Sequence, residues 1–275
     1  MRPTPPAALS LVVTDPPHGR VDHQAVADAL GLELPNASLK IGFSAPEVLR
    51  CADPSRAVPF AHVLGEAGLR VGVIDGAELA RVPWPAPVTT VSFGPNGLVG
   101  LHGARAVGIR YSEPVLAVLC KPPLNYTRPS SIPPLTPTSK GIAVAEALDG
   151  MAILDLYTRT GGQLDRITIA HDVADFAGIE ELEGVSPTDR LKVLLAECGR
   201  RFERLTIDAR LENVRPRRRF VAGEAGFDMD LRKHYSFGTL LLRHALEEIS
   251  PDLKDLPHYE YGSRLACVLG KGAFD

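Results

Sequence analysis

A proline-rich stretch near the middle of the chain constrains the fold more than any other feature of the sequence. Residues 119–141, LCKPPLNYTRPSSIPPLTPTSKG, contain six of the 24 prolines, six serines or threonines and no acidic residue. Proline cannot donate a backbone hydrogen bond to a sheet, and few of these residues can build a core, so a disordered loop is predicted over residues 121–141. The flanking strands belong either to two separate domains or to one sheet that the loop interrupts.

The composition of the whole chain predicts a folded, soluble protein. Of its 275 residues, 45% are hydrophobic and 23% are charged, and the formal net charge is −3. A chain of this size can bury cores in two modest domains. Because the net charge is slightly negative, no global positive field attracts nucleic acid or an anionic membrane. Nucleic acid is therefore not an expected partner.

The amino end predicts a first strand and not a signal peptide, because its apolar run is barely long enough for one and Asp15 interrupts it. No stretch approaches the length of a membrane-spanning helix, so we expect a cytoplasmic protein without membrane insertion. The cysteines lie far apart, with no CxxC pair and no histidine at metal-ligand spacing. No metal or cofactor is expected, and reduced, buried thiols are predicted at Cys51, Cys120, Cys198 and Cys267.

Residues 1–84 predict a small α/β domain with the ferredoxin-like order β-α-β-β-α-β. Asp22 is placed to cap a first helix, and Gly68 to end a second one. Four short apolar runs predict strands near residues 10–15, 38–43, 47–52 and 69–75. Prolines around Trp84, the only tryptophan, then mark the domain boundary, where the indole is expected to fill the junction.

Residues 85–220 predict a β-rich domain. Gly94-Pro95-Asn96-Gly97 indicates a hairpin, and the alternation over residues 107–112 is that of a half-buried strand. RLTIDARLE (204–212) has the clearest alternation, with its apolar side chains expected on one face. Ser186 is a candidate N-cap for one amphipathic helix, whose apolar stripe must pack on a sheet.

The strands before residue 120 and those after residue 141 are each too few for an independent sheet. We therefore expect both sets to close one domain, a partly open barrel with a packed helix, which resembles the pleckstrin-homology (PH-like) architecture. Residues 221–275 predict a C-terminal helical extension, including FGTLLLRHALEEI, that packs on this domain. The expected fold class is α+β.

Candidate catalytic residues are sparse. The common nucleotide-binding, hydrolase and metal motifs are missing from the sequence. His171 and Asp172, with Asp175, come nearest to an acid–base or metal cluster, and Asp155 lies on a neighbouring predicted strand. A histidine with two carboxylates at a strand end is more often a turn and a cap than a catalytic site. The alternative function is a hydrolase-type enzyme with a dispersed active site, whose candidate catalytic residues are His171, Asp172 and Asp155.

One short segment concentrates positive charge. NVRPRRRFV contains Arg215, Arg217, Arg218 and Arg219. Guanidinium groups bind phosphate and carboxylate well, so this segment is a candidate ligand-binding site and a possible attachment point for anionic lipid. A solvated loop paired with nearby acids is the competing interpretation.

Together these patterns favour a non-catalytic binding or adaptor protein that acts through protein–protein contacts. The main reason is the scarcity of candidate catalytic residues in a chain with two predicted domains. The partner is expected to be another protein, and the oligomeric state is not predicted.

Overall fold

The computed structural model describes residues 10–14, 19–41, 46–52, 54–121, 140–176, 178–186, 189–212 and 258–274. Within these ranges the protein is a mixed α+β structure with several antiparallel sheets, which confirms the expected fold class. The described residues divide into two compact units, one ending at Arg81 and one beginning at Val82.

The first unit contains a three-stranded antiparallel sheet. Its elements in chain order are β1 (Ser10–Thr14), α1 (His23–Leu30), α2 (Leu34–Ile41), β2 (Glu47–Ala52), α3 (Pro54–Glu66), β3 (Val71–Asp75) and α4 (Gly76–Arg81). The central strand β1 pairs antiparallel with both β2 and β3. Asp22 caps α1 with its carboxylate. Val12, Val26 and Leu64 bring the sheet, α1 and α3 into one buried core.

The order of these elements is β-α-α-β-α-β, so the ferredoxin-like order is not confirmed. Residues 38–41, expected in a strand, belong to α2, and that strand prediction is wrong. Positions 34, 37, 38 and 41 have helical spacing, and Ala37 is fully buried in the core. An apolar run this short is compatible with both the strand period and the helix period. Contact between this segment and α1 favours the helix.

Seven strands are described in the second unit. Its elements are β4 (Thr90–Phe93), β5 (Gly97–His102), β6 (Arg105–Arg110), β7 (Val115–Lys121), α5 (Lys140–Leu148), β8 (Ile153–Thr160), β9 (Gln163–Ala170), α6 (Arg190–Arg201), β10 (Leu205–Glu212) and α7 (His258–Leu269). Strands β4, β5 and β6 form an antiparallel meander, and the second sheet has the order β10-β7-β8-β9.

The strands on the two sides of residues 122–139 share a sheet, because β7 pairs antiparallel with β8. Backbone bridges from Pro87 to Thr168 and from Thr90 to Asp175 join the start of the meander to the region of β9. No closed barrel is formed by the strands described in this unit, and the PH-like architecture is not confirmed.

The two faces of the four-stranded sheet have different surroundings. On one face, Leu154 belongs to the main core together with residues of the meander and Leu194 of α6. On the other face, Ile153 packs with Tyr259 of α7. Covering on both faces explains why β7 reads as a continuous apolar run.

Strand β10 departs from the regular alternation expected over residues 204–212. Between Asp208 and Leu211, two residues of β10 stand opposite a single residue of β7, which is a β-bulge. This bulge changes which side chains face inward: Asp208 is buried, whereas Ile207 is 50% exposed. Arg210 neutralises the buried carboxylate, with 2.9 Å between its Nε and Oδ1 of Asp208.

Three sequence predictions fall wholly or partly outside the described residues. They concern the loop over 121–141, the arginine cluster at 215–219 and the extension 221–275. Parts of the first and last ranges are described: Lys121 lies in β7, Lys140 begins α5, and residues 258–274 include α7. Among the helices that the structure describes, none has the length and apolar character needed to cross a bilayer.

Candidate functional site

A dense polar cluster is buried between the four-stranded sheet and α7. Arg166 of β9 donates to Asp155 of β8 from Nε to Oδ1 (3.0 Å) and from Nη2 to Oδ2 (2.7 Å). The same guanidinium donates to Glu260 of α7 from Nη1 to Oε1 (2.9 Å) and from Nη2 to Oε2 (2.7 Å). One arginine thus makes a two-bond contact with each carboxylate. We call these three residues, together with Thr168, Ser263 and Arg264, the Arg166 cluster.

The remaining members of the cluster complete the hydrogen bonds of the carboxylates. Thr168 donates to Oδ1 of Asp155 (2.7 Å), and Ser263 donates to Oδ2 (2.6 Å). Arg264 donates from Nε to Oε1 of Glu260 (2.7 Å). Every carboxylate oxygen of the cluster therefore accepts at least one hydrogen bond.

Arg264 connects the cluster with Trp84. Its Nη1 donates to the carbonyl oxygen of Val82 (2.8 Å), and its guanidinium carbon lies 4.4 Å from the centre of the Trp84 ring system. The indole also lies against Gly141 of α5, where a Cβ atom would overlap it. Trp84 is therefore a packing residue at the start of the second unit.

The cluster is electrically balanced and closed to solvent. Burial disfavours the charge on Arg166, but Asp155 and Glu260 outweigh this effect and hold the pKa of Arg166 well above its ordinary value. The side chains of these three residues are at most 1% exposed. Because no substrate can reach the carboxylates and all their oxygens are bonded, the cluster attaches α7 to the sheet and offers no general base.

The candidate catalytic residues do not form one site. Asp155 lies inside the Arg166 cluster. His171 and Asp172 lie beyond the end of β9, where His171 Nε2 is 3.0 Å from Asp172 Oδ1 and Nδ1 accepts the N–H of Ala152 (3.2 Å). No hydrogen bond or ion pair in the described part of the chain joins either residue to Asp155. The Asp172 side chain is 58% exposed, and the pair is arranged as a strand-ending turn.

The cysteines and the metal-ligand residue types of the described residues form no reactive cluster. Across the described ranges, no group of three or more His, Cys, Asp or Glu side chains could hold a metal ion. Cys198 and Cys267 are buried and Cys120 is half-buried, and this loss of solvation raises the pKa of the three thiols to about 12, so they remain protonated and poorly reactive. The arginine cluster, Arg215, Arg217, Arg218 and Arg219, lies outside the described residues.

A small cavity lies beside the segment that leads into α6. Its volume is about 230 Å³. Small-molecule sites usually measure about 300–1,000 Å³. The lining includes Asp175, Phe176, Ile179, Leu182, Glu183 and Arg190. Asp175 is already held through its backbone, which bonds to Thr89 and Val91. Size and lining together point to no particular ligand.

An exposed apolar surface lies on the outer face of the meander. Val91, Leu98 and Ile109 turn inward to the main core, so the alternate residues of β4, β5 and β6 point outward. The strand register places seven such residues side by side, and we call them the meander face. They are Thr90, Ser92, Val99, Leu101, Ala106, Gly108 and Arg110.

The meander face combines exposed apolar side chains with very small neighbours. Val99 is 37% exposed and lies opposite Gly108, and Leu101 is 41% exposed and lies opposite Ala106. Arg110 is its only charged member. The water-facing side of an antiparallel sheet normally carries polar residues. Sequence reasoning missed this surface, although GLVGLH has apolar residues on both alternations, which is the signal that could have identified it.

Comparison of the chain with protein-family models, with curated proteins and with solved structures gives no match.

Proposed function

We propose that this chain is a non-catalytic binding protein that contacts another protein through the meander face. The observation that carries the proposal is the exposure of Val99 and Leu101 on a sheet face that contains no acidic residue. Exposed apolar groups that lie together are a common feature of protein–protein contact surfaces.

The support beneath this face is rigid. Val91, Leu98 and Ile109, on the opposite side of the same strands, are at most 2% exposed in the main core. A surface that is already ordered loses little conformational entropy when a partner binds, which favours affinity. Binding through the meander face therefore requires no rearrangement of the strands that present it.

A hydrolase has less support than a binding protein. Its candidate residues are divided between the closed Arg166 cluster and the turn at His171 and Asp172. Attachment to anionic lipid through residues 215–219 remains a prediction from the sequence. The proposal does not depend on the ferredoxin-like or PH-like comparison.

A capture experiment with matched variants tests the proposal. The full chain, Leu101→Glu and Ile207→Glu would each be used to capture proteins from the source cell, followed by quantitative mass spectrometry. Ile207 is a suitable control because it is 50% exposed on a strand of the other sheet. We expect Leu101→Glu to lower capture of specific partners about tenfold, because a buried unpaired charge is costly, and Ile207→Glu to leave it unchanged.

Thermal unfolding of the three proteins would confirm that each is folded. Equal capture by the full chain and by Leu101→Glu would contradict the proposal, as would a chain that captures no specific partner under gentle lysis.

A further inference from the structure

We infer that β6 is a strand-addition site, at which an extended segment of a partner protein pairs with its free edge and carries a carboxylate to Arg110. This inference rests on the proposed function and specifies the partner's chemistry. It follows from the hydrogen-bond pattern of β6, the size of its outward residues and the charge at its ends.

The hydrogen-bond pattern shows which backbone groups of β6 are available. The N–H of Tyr111 donates to the carbonyl oxygen of Asn96 (3.1 Å), which makes this a hydrogen-bonded pair of the β5–β6 ladder. Such pairs recur at every second residue of an antiparallel ladder. The N–H and C=O groups of Ala106, Gly108 and Arg110 therefore point away from β5.

One end of this free edge is closed. The backbone N–H of Arg110 donates to a carboxylate oxygen of Glu113 (3.3 Å), and the N–H of Glu113 donates to the carbonyl oxygen of Arg110 (3.1 Å). Ala106 and Gly108 have no such cap in the part of the chain that the structure describes. Their backbone groups are the ones that a partner strand can use.

The outward side chains of β6 leave room for those of an added strand. Ala106 and Gly108 are exposed and carry at most one methyl group. Behind them on β5 lie Leu101 and Val99, both partly exposed. Side chains on neighbouring strands of a sheet are in reach of each other. A partner's apolar side chain can therefore extend over Gly108 and contact Val99 as well.

Charge selects the kind of strand that fits. Arg105 and Arg110 are both exposed at the two ends of β6. Antiparallel pairing of β6 with β6 of a second copy would bring no carboxylate to Arg110, because β6 contains no acidic residue. Residues 122–139 of the chain itself contain no acidic residue that could neutralise Arg110. The occupant that fits is an extended segment of another protein, with alternating apolar residues and an acidic side chain.

A peptide selection on the full chain tests this inference. The probe is a displayed library of random linear peptides, each about ten residues long, which is longer than a typical strand. Selection uses the natural chain, with counter-selection on Leu101→Glu. We expect the enriched peptides to alternate β-branched residues with polar ones, to lack proline and to carry an acidic residue near one end.

A synthesised peptide from this selection would then be methylated at one backbone nitrogen at a time. Strand addition predicts an alternating result: methylation at every second residue weakens binding about tenfold, whereas methylation at the intervening residues has little effect. Amide exchange at Ala106 and Gly108 should slow about tenfold when the peptide binds. Arg110→Gln should weaken binding and reduce its dependence on salt, whereas the exposed control Arg56→Gln should do neither.

The outcomes separate this inference from the proposed function. Peptides that require Leu101 but show no alternation in the methylation series would overturn strand addition and leave binding through the meander face intact. Failure to select any Leu101-dependent peptide would also overturn strand addition, while the capture experiment judges the proposed function independently. Unchanged amide exchange at Ala106 and Gly108 on peptide binding would likewise overturn strand addition and leave binding through the meander face intact.

Discussion

Close packing restricts which residues can stand at several positions of the meander. The glycines that recur every third residue illustrate this. A Cβ atom at Gly97 would overlap the carbonyl oxygen of Ile109, and one at Gly100 would lie 2.8 Å from Cγ1 of Val88. Gly103 has a φ of 60° in the turn between β5 and β6. The glycine spacing of the meander thus serves strand pairing and a tight turn.

Gly97→Ala is expected to lower the free energy of unfolding by about 1–3 kcal/mol, because β5 and β6 must separate to admit the methyl group. Urea unfolding of the full chain would measure the loss. Gly199→Ala is the matched control in the same unit, since the nearest atom to its added Cβ is 4.0 Å away. Gly199 lies in the last turn of α6, where that change should stabilise by at most about 0.5–1 kcal/mol. Equal effects of the two substitutions would contradict the packing argument.

The buried thiols predict a loss of stability at alkaline pH. In the folded protein the pKa of Cys120, Cys198 and Cys267 is raised to about 12. In the unfolded chain a thiol ionises near about pH 8.5. Between these values the unfolded chain binds fewer protons, so the free energy of unfolding falls as pH rises, by about 1.4 kcal/mol per pH unit for each thiol.

Urea unfolding between about pH 8 and about pH 11 would measure this slope. This pH range covers most of the interval between the thiol pKa values of the unfolded and folded chain. Cys198→Ala should reduce the slope by the share of one thiol, whatever its effect on stability at neutral pH. An identical slope in the variant would show that Cys198 ionises equally in both states.

At the scale of elements, the second unit is organised by the contact between α7 and its sheet. Glu260 and Ser263 reach the sheet from one helix, while Asp155 and Arg166 meet them from β8 and β9. A buried ionic cluster adds little stability over apolar packing, but removal of one partner leaves uncompensated charge. The cluster therefore makes the position of α7 specific, because a shift of the helix would leave charges unpaired.

Arg166→Met should lower the free energy of unfolding by about 3–5 kcal/mol, because it leaves the buried carboxylate of Asp155 without a cation and Glu260 with Arg264 alone. Glu181→Gln serves as the control: it removes a surface pair with Arg201, whose partners are each 38% exposed, and should cost less than about 1 kcal/mol. Chemical unfolding of both variants would compare them. A loss of similar size in the two would contradict the assigned role of the Arg166 cluster.

For the second unit as a whole, integrity is expected to survive a break within residues 122–139. The six residue pairs between β7 and β8 cross this position, and β7 also pairs with β10. A shared sheet and core should hold the two pieces together by backbone hydrogen bonds and apolar burial.

An engineered protease site within residues 122–139 would test this expectation. After cleavage the two fragments should co-elute in size-exclusion chromatography in native buffer and separate in urea. Separation in native buffer, with each fragment unfolding cooperatively, would show that the strands on the two sides do not depend on each other.

Several elements could be predicted from the local sequence pattern because that pattern is compatible with only one type of secondary structure. Asp22 caps a helix, and α6 follows its apolar stripe. Other elements were ambiguous. Residues 38–41 fit both periods, and the alternation of β10 gave no sign of the bulge that buries Asp208. Of the candidate site residues, Asp155 is placed in a polar cluster, but its partners Arg166 and Glu260 are distant in sequence and no motif links them.

The amino-acid sequence by itself determined the α+β class, the apolar stripe of α6 and the need for strands on both sides of the proline-rich stretch to find partners, because periodicity is a local property. It did not determine where α6 begins: Asp189 and not Ser186 is at the N-cap position. Only the tertiary structure decided that Arg166 joins two carboxylates, that β10 carries a bulge and that Val99 and Leu101 face outward. These outcomes depend on which strands become neighbours. A side chain is buried or exposed according to what covers its face, and residues far apart in the chain provide that cover.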